Sequence, residues 1–571
     1  MILVPVAAEK NIRNAMVRRR LGFAVLSGFL LTLSFPRWNL WMLAWVAFLP
    51  LFYSFEKSRN WKEAFLYGFT AGFTFFLLSI SWLRHVTVFG MLVVTTLSAF
   101  YWGLFGILFY RVRRSTRFLA PSLILSACWV ALEFIRSEIP VWGFGWNLLG
   151  ASQASNLLVA QLASLGGIYS VSFFVLLANL VFFLFFHGNH KKDVQNLFLF
   201  LLLLGAVLLF GWSRMETSKP RSFFRISVLQ GNIPQLLKWD ASYKEEILKI
   251  YLNLTELASY DHTQLIVWPE AAYPGFFNRE PEAERIKDLV RKIQTPLLVG
   301  SPHEAEAVFY NSVYLLSPAG EIVQRYDKIR LVPFGEYVPW KRIFGFLERY
   351  AYALGVSDFS PGHEFTVFKM GEEGPKFSVL ICFEDIFPSL ARKFVDRGAG
   401  FLTVITNDAW FGHSSAPYQH LQASIFRAIE NGVFIVRAAN TGVSGFINSR
   451  GQVMEKIQNQ EAKDTFIMGG VTYPMDFVPE QTPYRCGGWL FPQGCLLIAL
   501  LFAVASGSPK RNLSKIAVFI FLTILSSGCI RVAGGAFYTK KGKEGEPPQV
   551  KEVYADSDEL LRGKSPGKIE T

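Results

Sequence analysis

Paired cysteines, metal-binding spacings and charge are all scarce in this sequence. Its five cysteines, Cys128, Cys382, Cys486, Cys495 and Cys529, form no CxxC pair, and the eight histidines are scattered with no HExxH. These absences leave no zinc-finger, thiol-redox or metalloprotease signature, so no metal is expected. Charged residues make up 18% of the chain, below the roughly 25% of an ordinary soluble domain. There is no RNA-binding aromatic motif and no DNA-reading basic helix, so the net charge of +13 is not read as a nucleic-acid footprint.

What is abundant is apolar surface: 51% of residues are hydrophobic and 54 are phenylalanine. Apolar runs fall near 21–35, 39–54, 63–83, 88–110, 118–135, 164–186 and 195–213. Most approach the roughly 20 residues that a helix needs to cross a bilayer. Residues 1–216 are therefore expected to be a membrane domain of seven transmembrane helices, the first two forming a hairpin punctuated by Phe35, Pro36 and Arg37. No small-residue cleavage site follows the N-terminal segment, so it is not read as a cleaved signal. Within the fifth run, Glu133 and Arg136 are expected to pair.

Charge predicts the orientation. Arg18–Arg20, Lys57 with Arg59 and Lys62, Arg111 with Arg113, Arg114 and Arg117, and Lys191 with Lys192 all fall on one face of this layout. The positive-inside rule makes that face cytoplasmic. The seventh span then exits outward near Trp212, and the region 217–480 lies outside the cytoplasm.

That region reads as α/β. Short strand-like runs at Arg225–Leu229, Gln264–Trp268, Pro296–Gly300, Ser312–Leu316, Phe377–Cys382, Phe401–Thr406 and Phe434–Arg437 alternate with helical stretches at 243–259, 281–293 and 416–431. An eighth span covers 487–506. A further apolar segment at 510–530 ends in Ser526-Ser527-Gly528-Cys529 and reads as a lipoprotein-like signal or a ninth span. The tail 531–571 is polar and expected to be disordered.

Only Cys382 lies well inside the α/β region, which leaves it as inert packing or as a nucleophile. Three motifs accompany it in order. Glu270 ends Val267-Trp268-Pro269-Glu270, Lys328 ends Arg325-Tyr326-Asp327-Lys328 with Glu336 following, and Cys382 heads Cys382-Phe383-Glu384-Asp385. Singly, each has a bland reading as core or surface. Together they suit nucleophilic acyl transfer: a thiol, a carboxylate base, and an ammonium that stabilises thiolate and oxyanion. Glu336 and Glu384 are candidates to orient Lys328.

The order Glu, Lys, Cys resembles the nitrilase superfamily, and Gln230-Gly231-Asn232 and Asn407-Asp408-Ala409-Trp410-Phe411 extend the match. With the flanking apolar runs, residues 15–510 resemble the apolipoprotein N-acyltransferase family. The resemblance implies an α-β-β-α sandwich outside the cytoplasm beside an α-helical membrane bundle of about eight spans. It implies a bacterial inner-membrane location with the catalytic domain on the periplasmic side. It also implies that Cys382 takes an acyl chain from a phospholipid and passes it to the amine of a diacylglyceryl-cysteine on an apolipoprotein. By the same match, Glu270 is the base, Lys328 the oxyanion partner, and Trp239 and Trp146 lie near the substrate opening. A monomer needing no cofactor and no nucleic acid is expected. The family commonly has Tyr after the nucleophile; this chain has Phe383. The competing reading is a membrane-tethered amidase of the nitrilase type, and a non-catalytic lipid-binding protein is a third.

Overall fold

The computed structural model describes residues 6–112, 119–139, 143–187, 191–215, 223–339, 358–372 and 374–505. The segment 510–530, Cys529 and the tail 531–571 lie outside the described residues.

The N-terminal part is helical: α1 (Val6–Leu33), α2 (Leu49–Glu56), α3 (Trp61–Ser79), α4 (Val88–Val112), α5 (Leu119–Glu138), α6 (Ile168–His187) and α7 (Lys191–Met215). Among the described residues, three helices are long and apolar enough to cross a membrane: Val88–Val112, Ile168–His187 and Asp193–Met215. The others differ for identifiable reasons. α1 carries Glu9, Lys10 and Arg18–Arg20, α2 is short, and α5 contains Glu133 and Arg136. Those two side chains form no ion pair with each other. Glu133 accepts the Leu149 N–H at 2.7 Å, and Arg136 donates to the carbonyls of Phe144 and Trp146 at 2.6 and 3.0 Å. Each buried polar group thus ties down the loop after α5.

Two six-stranded sheets follow. The first contains β1 (Phe224–Gln230), β2 (Leu265–Val267), β3 (Leu297–Ala305), β4 (Val308–Leu316), β5 (Ile322–Asp327) and, returning last, β12 (Gly469–Met475), in the order β12-β1-β2-β3-β4-β5. The second contains β6 (Phe368–Lys369), β7 (Lys376–Ile381), β8 (Phe401–Thr406), β9 (Phe434–Ala439), β10 (Gly445–Ile447) and β11 (Val453–Lys456), in the order β11-β10-β9-β8-β7-β6. Each sheet has a parallel centre, β1-β2-β3 or β7-β8-β9, and antiparallel edges. Among the described residues, four helices longer than one or two turns accompany them: α8 (Lys244–Ser259), α9 (Ala283–Ile293), α10 (Pro388–Asp396) and α11 (Ala416–Asn431). The last helix among the described residues, α12 (Phe491–Ala505), packs against α5.

Alternation along the strands decides the layering. Leu265 and Val267 of β2 join the core shared with the second sheet, whereas Ile266 and Trp268 join the cluster under α8 and α9. Burying both faces makes the central strands continuous apolar runs. Gln419 of α11 fastens the sandwich to the helical part: its Oε1 accepts from the indoles of Trp82 and Trp146, each at 2.9 Å, and its Nε2 donates to the Ser79 carbonyl at 2.9 Å.

Candidate active site

Loops that follow β2, β5, β7 and β8 meet at one end of the sandwich. Crevices at the carboxyl ends of parallel strands are where α/β folds collect functional groups. Glu270 stands two residues past Trp268, in a turn that needs Gly300 opposite: a Cβ there would lie 2.2 Å from the Pro269 carbonyl oxygen. Both Glu270 carboxylate oxygens are held, Oε1 by Asn311 Nδ2 at 2.8 Å and Oε2 by the Asn407 N–H at 2.9 Å.

Lys328 follows β5 and is 1% exposed. Its Nζ lies 2.9 Å from Glu336 Oε1 and 3.5 Å from Glu270 Oε1. Asn311 Nδ2 also donates to Glu336 Oε1 at 2.7 Å, so one amide bridges the two carboxylates. Burial works against the Lys328 ammonium, but Glu336 and Glu270 outweigh it and raise its pKa, so the lysine stays charged.

Cys382 begins the turn after β7 at φ 52°, a left-handed conformation uncommon for a residue with a Cβ. Such strain marks positions held by their surroundings. Burial pushes the thiol well above its ordinary value, Glu270 adds to the rise, and Lys328 opposes it. The resting sulfur is therefore a thiol, and it needs a base at the moment of attack.

Glu384 is fully buried but does not hydrogen-bond Lys328. It accepts from the N–H groups of Ile329, Arg330 and Ile381 at 2.8, 2.9 and 2.8 Å, and from the Tyr326 hydroxyl. Those bonds clamp the Lys328 loop to the Cys382 strand. Burial lifts its carboxyl to about 7 despite these donors. Phe383 packs edge-on against Phe387, and both line a cavity of about 260 Å³ with Ile139, Gly143, Ile329 and Pro333. Trp239 is half exposed. Trp146 is 5% exposed and lies in the junction between helices and sandwich, against Trp82 and His420.

Two groups escaped sequence reasoning. Lys238 is buried and donates to the Glu270 backbone carbonyl at 2.9 Å; burial lowers its pKa to about 8. Beneath Cys382 lies a charged network. His420 Nε2 is 3.2 Å from the Cys382 carbonyl oxygen and 2.9 Å from Asp385, while Nδ1 is 2.9 Å from Asp408. Arg437 reaches both aspartates at 3.2 Å. Burial opposes the imidazolium, but Asp385 and Asp408 prevail and lift it to about 9. Asp408 is drawn down to about 2, His420 and Arg437 outweighing its burial. Gly442 must be glycine here, since a Cβ would lie 2.1 Å from Asp408 Oδ2. Asp385 and Asp408 of this network lie in motifs already noted, but His420 and Arg437 come from a separate helix and strand where no local motif announces them.

Comparison with known proteins gives two family matches. Residues 27–181 match the apolipoprotein N-acyltransferase N-terminal domain, and residues 225–469 match the carbon-nitrogen hydrolase family, in accord with the two-sheet sandwich. The chain is 40% identical to an apolipoprotein N-acyltransferase of Geobacter metallireducens over 461 residues, 77% of this chain and 87% of that protein. It is 32% identical to an apolipoprotein N-acyltransferase of Chlorobaculum tepidum over 527 residues, 85% and 96% of the two chains. A solved amidase from Nesterenkonia sp. aligns at 20% identity over 46% of this chain and 93% of its own, with a TM-score of 0.34.

Proposed function

The chain belongs to the apolipoprotein N-acyltransferase family, and from that premise we propose that it carries a fatty acyl group on Cys382 from a membrane phospholipid to the α-amine of a diacylglyceryl-cysteine. One observation carries the assignment of residues: a strained, buried thiol feels the charges of a carboxylate whose oxygens are both held and of an ammonium that stays charged.

In the first half-reaction Cys382 Sγ attacks the ester carbonyl and Glu270 takes the thiol proton. The oxyanion that forms lies against the Lys328 ammonium, in a site dry enough to strengthen that attraction. Collapse breaks the bond to the glycerol oxygen, Glu270 returns the proton to it, and a lysophospholipid leaves. In the second half the amine attacks the thioester and gives its proton to Glu270. The C–S bond breaks, the sulfur regains the proton, and an amide remains. Glu336 holds Lys328, and Glu384 holds its loop. The cavity beside Phe383 suits an apolar chain, and the ring keeps that packing without a hydroxyl. The Tyr-to-Phe departure then touches hydrogen bonding alone.

The substrates of this reaction are lipid-anchored, so the enzyme must meet them at a bilayer. We read residues 1–216 and 487–506 as eight membrane spans with the sandwich on the outer face. The basis is three apolar helices and the one-sided Lys and Arg clusters. The test supplies detergent-solubilised protein with acyl-labelled phospholipid and a diacylglyceryl-cysteine peptide. Label should move to the peptide, and blocking the peptide amine should stop it. Release of label as free fatty acid, at one rate with and without peptide, would establish a hydrolase instead.

A further inference from the structure

Two adjoining cavities, of about 530 and 130 Å³, open where the helical part meets the sandwich. Both are lined by Pro36, Arg37, His413, Ser414 and Ser415; the smaller adds Arg84 and His85. No Asp or Glu lines either one. Arg37 and Arg84 are exposed, and among the described residues neither is ion-paired to a carboxylate. Two guanidinium groups on the wall of one cavity without a lining carboxylate leave positive charge that an anion can balance.

Position narrows what the anion is. Arg37 follows α1 and Arg84 follows α3, so in the proposed orientation both sit at outward helix ends, against the trend that gathers cations on the inner face. Arg136, on the same side, is satisfied by the carbonyls of Phe144 and Trp146. Trp38, which lines the smaller cavity, is 54% exposed, and Phe89, four residues after His85, is 71% exposed, as suits side chains at the interface between hydrocarbon and headgroups. The far wall belongs to the segment Asn407–Ser415. Its first residue donates to the Glu270 carboxylate, and its last residues line the cavities.

We propose that these cavities seat the phosphodiester of the donor phospholipid, Arg37 and Arg84 as its charged clamp and His85, His413, Ser414 and Ser415 as hydrogen-bond partners. Guanidinium groups match phosphate oxygens in charge and shape. The headgroup would be anchored at the junction while the ester reaches along the Asn407–Ser415 segment to Cys382. The proposal rests on the acyl-transfer reading for its substrate but not for its binding test.

Two measurements separate the failures. With Cys382→Ala protein, which forms no thioester, binding of dihexanoyl phosphatidylglycerol below its micelle concentration should weaken at least tenfold when Arg37→Gln and Arg84→Gln are added. Dihexanoylglycerol, which lacks the phosphate, should bind alike to both. Equal binding of the phosphatidylglycerol, or competition by inorganic phosphate as strong as by the lipid, would overturn the lipid site. With Cys382 intact, the double variant should raise the phospholipid concentration for half-maximal acylation at least tenfold. Its maximal rate, and its acylation by p-nitrophenyl butyrate, should stay unchanged. Parallel loss with both donors would overturn a headgroup role, whereas a wild type that no donor acylates would refute the acyl-transfer reading itself.

Discussion

Two charged clusters flank the same cysteine, and they differ in what they leave free. On one side Glu270, Lys328 and Glu336 share a site in which a carboxylate and an ammonium face the sulfur. On the other, His420, Asp385, Asp408 and Arg437 answer one another, and His420 lies within hydrogen-bond distance of the Cys382 carbonyl oxygen. The first cluster is arranged for proton transfer at sulfur. The second fixes the backbone that carries the sulfur. Burial and charge alone do not mark a catalytic group; what its partners leave available does.

The comparison breaks most sharply at the first cluster. Glu270→Gln keeps the shape and removes the base, so acylation should fall by roughly 10²- to 10⁴-fold in single-turnover assays. Lys328→Met should cost about 10²- to 10³-fold through the lost oxyanion partner. If either variant acylates at the wild-type rate, the assignment of roles is wrong.

The second cluster should respond in stability. Asp408→Asn leaves His420 and Arg437 partly uncompensated in the core, which costs about 3–5 kcal/mol when a buried pair is broken. Thermal unfolding in detergent should register it as a lower midpoint, with a smaller fall in the rate constant of the protein still folded. The network also predicts a pH window. His420 is raised from 6.5 to about 9, so its stabilisation is complete below 6.5 and lost as pH climbs through 9. Asp408 is lowered from 3.8 to about 2, so its share is present above 3.8 and lost as pH falls through 2. The unfolding midpoint should therefore decline between pH 6.5 and 9 in wild type, and decline less in His420→Gln.

Smaller effects sharpen the boundary between the clusters. Glu384→Gln should loosen the Lys328 loop and slow acylation by about ten- to hundredfold through misplacement alone. Phe383→Tyr adds one hydroxyl and should alter the rate by no more than the two- to tenfold that a neutral hydrogen bond, about 0.5–1.5 kcal/mol, can supply.

How much of this was legible depended on distance along the chain. Glu270, Lys328, Glu336 and Cys382 each end or follow a strand within a short motif, so they could be named from the residues. Asn311 could not: it lies within β4 between Tyr310 and Ser312, and its bridging role exists only once β4 and β5 pair. His420 sits mid-helix and Arg437 mid-strand, where nothing local distinguishes them from surface residues. The strand expected at Pro296–Gly300 runs on to Ala305, because Ser301 and His303 are polar yet paired across to β4. Short or glycine-rich edges such as β6 and β12 gave too little alternation to read. In the N-terminal helical part, apolar length suggested seven spans, with an eighth at 487–506, while α1 and α5 carry charges that composition alone does not reconcile with hydrocarbon.

The central claim is that Cys382 becomes covalently acylated by a phospholipid. Intact-mass analysis of the purified chain after incubation with a phospholipid of defined acyl chains tests it directly. Wild type should gain the mass of one acyl group, released on adding a diacylglyceryl-cysteine peptide, and Cys382→Ala should gain nothing. A wild-type chain without the adduct, or an adduct that survives in Cys382→Ala, would contradict the account.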